Sequence, residues 1–137
     1  MDIAIRTDDR GDVMVVEVAG EVDAYTSGSL RDRLTPLVDA GHVRLVVDLR
    51  GVTFLDSSGL SVLIGAARQV RRHDGEVHLV VDQERVINLF RAGALTRYFP
   101  IHATLEDALA AAASGAGADT STRTGTDTEP PGGRPEG

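Results

Sequence analysis

The densest chemistry in this chain lies in four consecutive residues, Asp56-Ser57-Ser58-Gly59. A carboxylate and two hydroxyls, followed by a glycine and then by apolar residues at helical spacing, make up the start of a helix. Two readings follow. In the first, Asp56 or a serine only caps the helix, a contribution of about 1 kcal/mol. In the second, a serine hydroxyl is a group to be esterified, because the unpaired N–H groups and partial positive charge of a helix start tolerate a phosphate on Ser57 or Ser58. A serine hydrolase fits poorly: the nucleophile would lie in Asp-Ser-Ser-Gly rather than Gly-x-Ser-x-Gly, and no histidine has a motif that makes it the base. His42, His73, His78 and His102 are better explained by surface or core packing than by metal binding, so no metal site is expected.

Composition narrows the chemistry further. The 137 residues contain no cysteine, which excludes disulfides, thiolate metal sites and thiol nucleophiles. All 14 basic residues are arginines, so there is no lysine for a phosphate-binding loop, a Schiff base or a kinase-type site. Any phosphoryl transfer involving this chain must therefore take its catalyst from another protein; the chain is expected to be no enzyme and to need no cofactor. A net charge of −7 argues against nucleic acid and anionic membrane as partners. The start, Met1-Asp2-Ile3-Ala4-Ile5-Arg6, does not read as a targeting segment, and no apolar run reaches about 18 residues. A cytoplasmic protein is expected.

The elements that would position the serines can be read from periodicity. Ile3–Ile5 and Val13–Val18 read as strands joined through the turn residues Asp8–Asp12. Leu30, Leu34, Leu37 and Val38 fall at helical spacing, with Thr26 or Ser27 as N-cap and Gly41 as stop; Pro36 within that segment predicts a kink or an early end. Arg44–Leu49 is an apolar, β-branched run suited to the middle of a sheet, ending near Asp48, which is equally plausible as a structural turn residue. Val52–Leu55 leads into Asp56, after which Leu60, Leu63, Ile64, Ala67 and Val70 share one helical arc. Glu76–Val81 is a further strand, Gln83–Phe90 a short helix ended near Gly93, Tyr98–His102 a last short strand, and Thr104 the cap of a helix through Ala112. The order β-β-α-β-α-β-α-β-α gives an α/β fold: a mixed sheet of four to five strands with about four helices packed on it. Beyond residue 110 no Val, Ile, Leu, Met or aromatic residue occurs, which sets a domain at 1–113 and a disordered acidic tail, rich in Gly, Thr and Pro, at 114–137. The domain holds 12 basic and 17 acidic residues, so both parts are acidic.

The helix after Asp56 has an unusual outer face. Opposite its apolar arc lie Ser58, Ser61, Val62, Gly65, Arg68, Gln69 and Arg72. Near its start this face is small and nearly flat, and Gly65 in mid-helix costs about 1 kcal/mol relative to alanine. Close approach of another backbone explains both, whether that backbone belongs to a partner or to the chain's own fold.

The pattern resembles the STAS-domain anti-sigma factor antagonists (anti-anti-sigma factors) of bacteria, through most of residues 2–112. The residues that carry the resemblance are Gly20-Glu21-Val22-Asp23 after the second strand, Val46-Val47-Asp48-Leu49 in the central strand and, above all, Phe54-Leu55-Asp56-Ser57-Ser58-Gly59-Leu60. The resemblance implies the STAS fold and a partner-switching cycle. The unphosphorylated protein binds an anti-sigma factor that is also a serine kinase, and a sigma factor is released. Phosphorylation, here on Ser57, abolishes binding, and a metal-dependent serine phosphatase resets the system. It also implies that Ser58 and Gly59 let the kinase close on the helix start, that Asp23 and Asp56 shape the local charge, and that Ser61, Val62, Gly65 and Arg68 are contact surface. Pro36, the tail and Ser61, where many relatives carry glycine, depart from the family pattern and bear on which kinase fits. Two alternatives use the same helix start: a STAS module that senses a nucleotide or anion, and a phospho-regulated adaptor acting on something other than a sigma factor.

Overall fold

A computed structural model describes residues 3–93 and 97–114. The expected tail lies outside the described residues except for Ser114, the last residue of the final helix. The elements are β1 (Ile3–Asp9), β2 (Met14–Val22), α1 (Ser27–Asp39), β3 (Arg44–Leu55), α2 (Ser57–Arg71), β4 (Glu76–Val80), α3 (Glu84–Ala92), β5 (Ile101–His102) and α4 (Leu105–Ser114). They form the expected α/β architecture, with five strands in spatial order β1-β2-β3-β4-β5. β1 runs antiparallel to β2, and every other neighbouring pair is parallel.

The two faces of the sheet are covered unequally. Val16, Val18, Leu45, Val47 and Leu79 pack with Leu30 and Leu34 of α1, Leu63 and Val70 of α2, and Phe90 of α3 in one large core. On the other face Val13, Val15, Val46 and Val80 meet Ala108 and Ala112 of α4. Small alanines let the last helix lie close to the sheet, and strands buried on both faces account for the near-continuous apolar runs.

Several boundaries differ from those read in the sequence. β1 extends through Asp8 and Asp9, so the hairpin turn tightens to the residues around Gly11, whose φ of 83° suits glycine, with the Arg10 amide donating to the Val13 carbonyl at 2.9 Å. β2 runs on to Val22, so Gly20, Glu21 and Val22 lie in the strand rather than after it. Pro36 does not end α1. The helix continues to Asp39, with the exposed proline removing only the amide that residue 32 would otherwise receive. Gly41, at φ 100°, stops α1 as expected: its amide and that of His42 bond back to Val38 and Leu37 in a Schellman arrangement. Gln83, Gly93 and Thr104 stand at the expected helix ends. The last strand is only Ile101–His102, because Arg97–Phe99 form a helical turn and bend.

The largest departure is β3, a single strand of 12 residues where a strand, a loop and a short extended piece were expected. Its pairing with β2 slips twice: Glu17 faces Asp48 but Ala19 faces Gly51, and Gly20 faces Val52 but Glu21 faces Phe54. Each slip is a bulge that adds one residue to β3 and reverses its in–out alternation. The core-facing residues are therefore Leu45, Val47, Leu49, Val52 and Leu55. Gly51 fits here because a Cβ would stand 2.9 Å from that of Ala19. Asp48 is thus neither a strand end nor a turn residue. It is buried within β3 and held by the Arg50 guanidinium through Nε at 3.0 Å and Nη2 at 2.7 Å, so the first bulge is closed by an ion pair.

Candidate functional site

The second bulge delivers β3 to the site. Because Val22 and Leu55 are register partners, the residues that follow them, Asp23 and Asp56, leave the sheet side by side at the carboxyl ends of β2 and β3. The Asp56 amide donates to the Val22 carbonyl at 3.2 Å and keeps the two exits together. This edge of an open parallel sheet is where ligands and partners are generally received.

Each aspartate organises the start of one helix. Asp56 is the N-cap of α2: its Oδ1 accepts the Ser58 amide at 2.9 Å and the Gly59 amide at 3.4 Å. Asp23 closes the turn that leads into α1, its Oδ1 accepting the amides of Tyr25 at 2.9 Å and Thr26 at 3.0 Å. Thr26 occupies the N-cap position of α1, but its hydroxyl caps nothing there; it donates to the Glu21 carbonyl at 2.7 Å and accepts the Asp23 amide at 2.9 Å. Partial desolvation pulls the Asp23 carboxyl upward, and the hydrogen bonds from Thr26 and Tyr25 outweigh it, so the group sits below the usual carboxylate range. A carboxylate is thereby fixed beside the start of α2.

Ser57 is the first residue of α2 and its side chain is exposed, free of the capping task that Asp56 performs. Ser58 is half-buried. Ser58, Ser61, Val62 and Gly65 line one groove of about 350 Å³ between α2 and α1, faced by Ser27 and Arg31. A Cβ on Gly65 would meet nothing within 4 Å, so the room this glycine leaves is not used by the chain's own packing. Gly59 is the opposite case and corrects the expectation of a partner-facing role. It is buried, and a Cβ there would stand 2.5 Å from Leu55 Cδ1 and 2.6 Å from Val22 Cγ1, so its missing side chain lets α2 seat on β2 and β3. Arg68 leaves the groove as well; its guanidinium lies 5.8 Å from the centre of the Tyr98 ring.

Two aromatic residues that border the site were given no site role in the sequence. Tyr25 is 94% exposed and Phe54 48% exposed, and with Glu21, Asp23 and Asp56 they line a shallow acidic, aromatic depression beside Ser57. The second bulge turns Phe54 outward, and a bulge leaves no mark in an alternating apolar pattern. Tyr25 had a weak signal, a large aromatic between a turn residue and a helix start. Among the described residues no helix is long and apolar enough to cross a membrane.

A sheet edge that presents a capped helix with a free hydroxyl, a groove of small side chains and a pair of exposed aromatics defines an α/β docking module. Residues 4–108 match the STAS domain family. The anti-sigma-B factor antagonist of Bacillus subtilis is 36% identical over 91 residues, covering 66% of this chain and 83% of that protein. The crystal structure of an anti-sigma factor antagonist from Mycobacterium paratuberculosis is 31% identical, with a TM-score of 0.76, covering 81% of this chain and 94% of that one. The structure of the Bacillus cell fate determinant SpoIIAA in its phosphorylated form shares the fold at 21% identity and a TM-score of 0.63, covering 78% of this chain and 97% of that one. The chain belongs to the STAS-domain family of anti-sigma factor antagonists.

Proposed function

We propose that this protein is an anti-sigma factor antagonist whose docking to an anti-sigma serine kinase is switched by phosphorylation of Ser57. The observation that carries the reading is the exposed Ser57 hydroxyl at the first position of α2, with Asp56 alone serving as cap. The unphosphorylated form binds the kinase through the start of α2, the groove of Ser58, Ser61, Val62 and Gly65, and the carboxylates of Asp23 and Asp56; the sigma factor held by that kinase is released. The kinase supplies nucleotide, magnesium and base, and this chain supplies the acceptor hydroxyl. A serine phosphatase of the metal-dependent class restores the free hydroxyl. The cycle runs in the cytoplasm and requires neither nucleic acid nor membrane.

The charge balance gives the switch its direction. A phosphoserine adds roughly −1.5 to −2 charges next to Asp56 and beside Asp23. Two of the helix-start amides, those of Ser58 and Gly59, are already engaged by Asp56, so the local helix start has less to offer the phosphate than an uncapped one. At a separation of about 6 Å and an effective dielectric near 20, each like-charge pair costs roughly 2–3 kcal/mol before screening. Solvent screens this in the free protein and less so in a desolvated complex, where each ~1.4 kcal/mol lowers affinity tenfold. A loss on the order of 100-fold follows with no refolding.

The test is a titration of the anti-sigma kinase with two variants. Ser57→Ala is expected to bind as tightly as the unmodified protein and to stay bound in the presence of ATP. Ser57→Asp is expected to bind much more weakly. Equal affinity for the two would overturn the electrostatic switch, and phosphate found by mass spectrometry only at another residue would overturn the assignment of Ser57.

A further inference from the structure

Away from the docking edge, the sheet contains a titratable pair that the partner switch does not use. His78 is completely buried in β4, amid Val77, Leu79 and Val80. Its Nε2 stands 3.1 Å from Glu76 Oε1 and its Nδ1 stands 3.0 Å from Nε2 of His102 in β5, with the two rings stacked at 5.3 Å between centres. Burying an imidazole in a valine-rich strand is costly unless both nitrogens are satisfied, and here Glu76 and His102 together satisfy those of His78.

We propose that His78 and His102 form a proton-sensitive latch that holds the edge strand β5, and with it α4, on the sheet, and that releases this edge when both rings are protonated. The logic is one of counting hydrogens. With Glu76 ionised, His78 donates through Nε2, so its Nδ1 accepts from the Nε2–H of His102 when both rings are neutral. One proton can be added without loss: His78 then donates from both nitrogens, and His102 accepts at Nε2 while carrying its hydrogen on Nδ1. A second proton leaves two N–H groups facing each other at 3.0 Å and two positive rings in contact. The bond between β4 and β5 side chains is then lost and replaced by repulsion.

The surroundings set the window. Around His78, the cavity against α4 is lined by Arg44 of β3, Arg71 of α2, Asp74 and Glu76, with Ala112 of α4. Arg91 of α3 lies at the other side of His102, and Asp107 of α4 attracts its charged form. Burial, and then the charge on His78, hold His102 below its ordinary value of 6.5 in spite of Asp107. A base whose folded pKa is lowered takes up its proton in the unfolded chain first. Its contribution to stability is therefore whole above 6.5 and is lost as the pH falls through that value toward the lower folded one. β5 itself is short, two residues tied to β4 by the Leu79 amide on the Pro100 carbonyl and the Val81 amide on the His102 carbonyl, each at 2.9 Å, and the latch adds to the apolar packing of Phe99 and Ile101 on one face and of Ala108 and Ala112 on the other. Release would uncover Val80 and its neighbours beneath α4.

The experiment is amide hydrogen exchange of Leu79 and Val81, corrected for intrinsic rate, between about pH 7.5 and about pH 5.5, with imidazole nitrogen NMR on the same samples. The wild type is expected to exchange severalfold faster at the acid end, with one ring titrating below the other. His102→Gln, whose side-chain amide can donate to neutral His78 through its NH2 and accept from protonated His78 through its oxygen, is expected to abolish that rise. His102→Phe, which cannot donate, is expected to show fast exchange at both ends. The latch is refuted if wild-type exchange is flat across the range, if the two rings titrate independently and identically, or if His102→Gln keeps the full acid response.

Discussion

At the scale of single residues, the site separates two tasks that adjoining polar residues could have shared. Asp56 holds the amides of Ser58 and Gly59, and Ser57 has no structural duty that keeps its hydroxyl from an enzyme. The cap and the charge of Asp56 can be told apart by substitution. Asp56→Ala removes both and is expected to cost about 1 kcal/mol, within the range of roughly 0.5–2 known for such caps. Asp56→Asn keeps an oxygen for the two amides, so its denaturation midpoint should stay near that of the wild type, while the affinity lost on phosphorylating Ser57 should shrink. A large stability loss in Asp56→Asn, measured by urea unfolding, would mean that the charge rather than the cap matters to the fold. The motif itself was open to reading in the sequence because capping has a strict residue preference. Which serine remained free was not, since that depends on which oxygen reaches the amides.

At the scale of elements, Gly59 and Gly65 are six residues apart on one helix and indistinguishable as letters, yet the structure gives them opposite meanings. Gly59→Ala would drive a methyl into Leu55 and Val22, and overpacking of this kind is expected to destabilise by about 1–3 kcal/mol. Gly65→Ala would fill open space and gain helix propensity, raising stability by up to about 1 kcal/mol while weakening binding to the kinase. Thermal melts of both variants alongside kinase titrations check the pair; a destabilised Gly65→Ala would return that glycine to the fold. Helix ends such as Gly41, Gly93 and Thr104 were legible in advance because backbone chemistry dictates them locally. β3 was legible only to Leu49. Beyond that point its core residues are spaced three apart, at Val52 and Leu55, because each bulge inserts a residue, and a period-two reading has no means of crossing a bulge. The same phase change leaves Phe54 half exposed beside Asp56, and the burial of Asp48 was hidden because its partner Arg50 lies across the first bulge.

At the scale of the molecule, the sheet edge that presents Ser57 lies at one end of the core. The starts of α1 and α2 rest on the carboxyl ends of β2 and β3, while the packing that fixes the fold lies behind them, between α1, α2, α3 and the sheet and between α4 and the other face. Adding charge at Ser57 needs to move nothing: Ser57 is already exposed, and the carboxylates that would repel a phosphate are held in place by the amides they accept. A switch of this kind is electrostatic, with a definite dependence on salt. Ser57→Ala and Ser57→Asp should have the same melting temperature within a degree or so, since neither changes a packed group. Their difference in affinity for the kinase should be largest at low salt and should narrow as sodium chloride rises from about 0.05 to about 0.5 M, where the Debye length falls from roughly 14 to roughly 4 Å. Calorimetric titration across that series checks it. A gap that stays constant with salt would mean that bulk at Ser57 blocks the kinase sterically, and a gap accompanied by a lower melting temperature would mean that the switch acts through the fold.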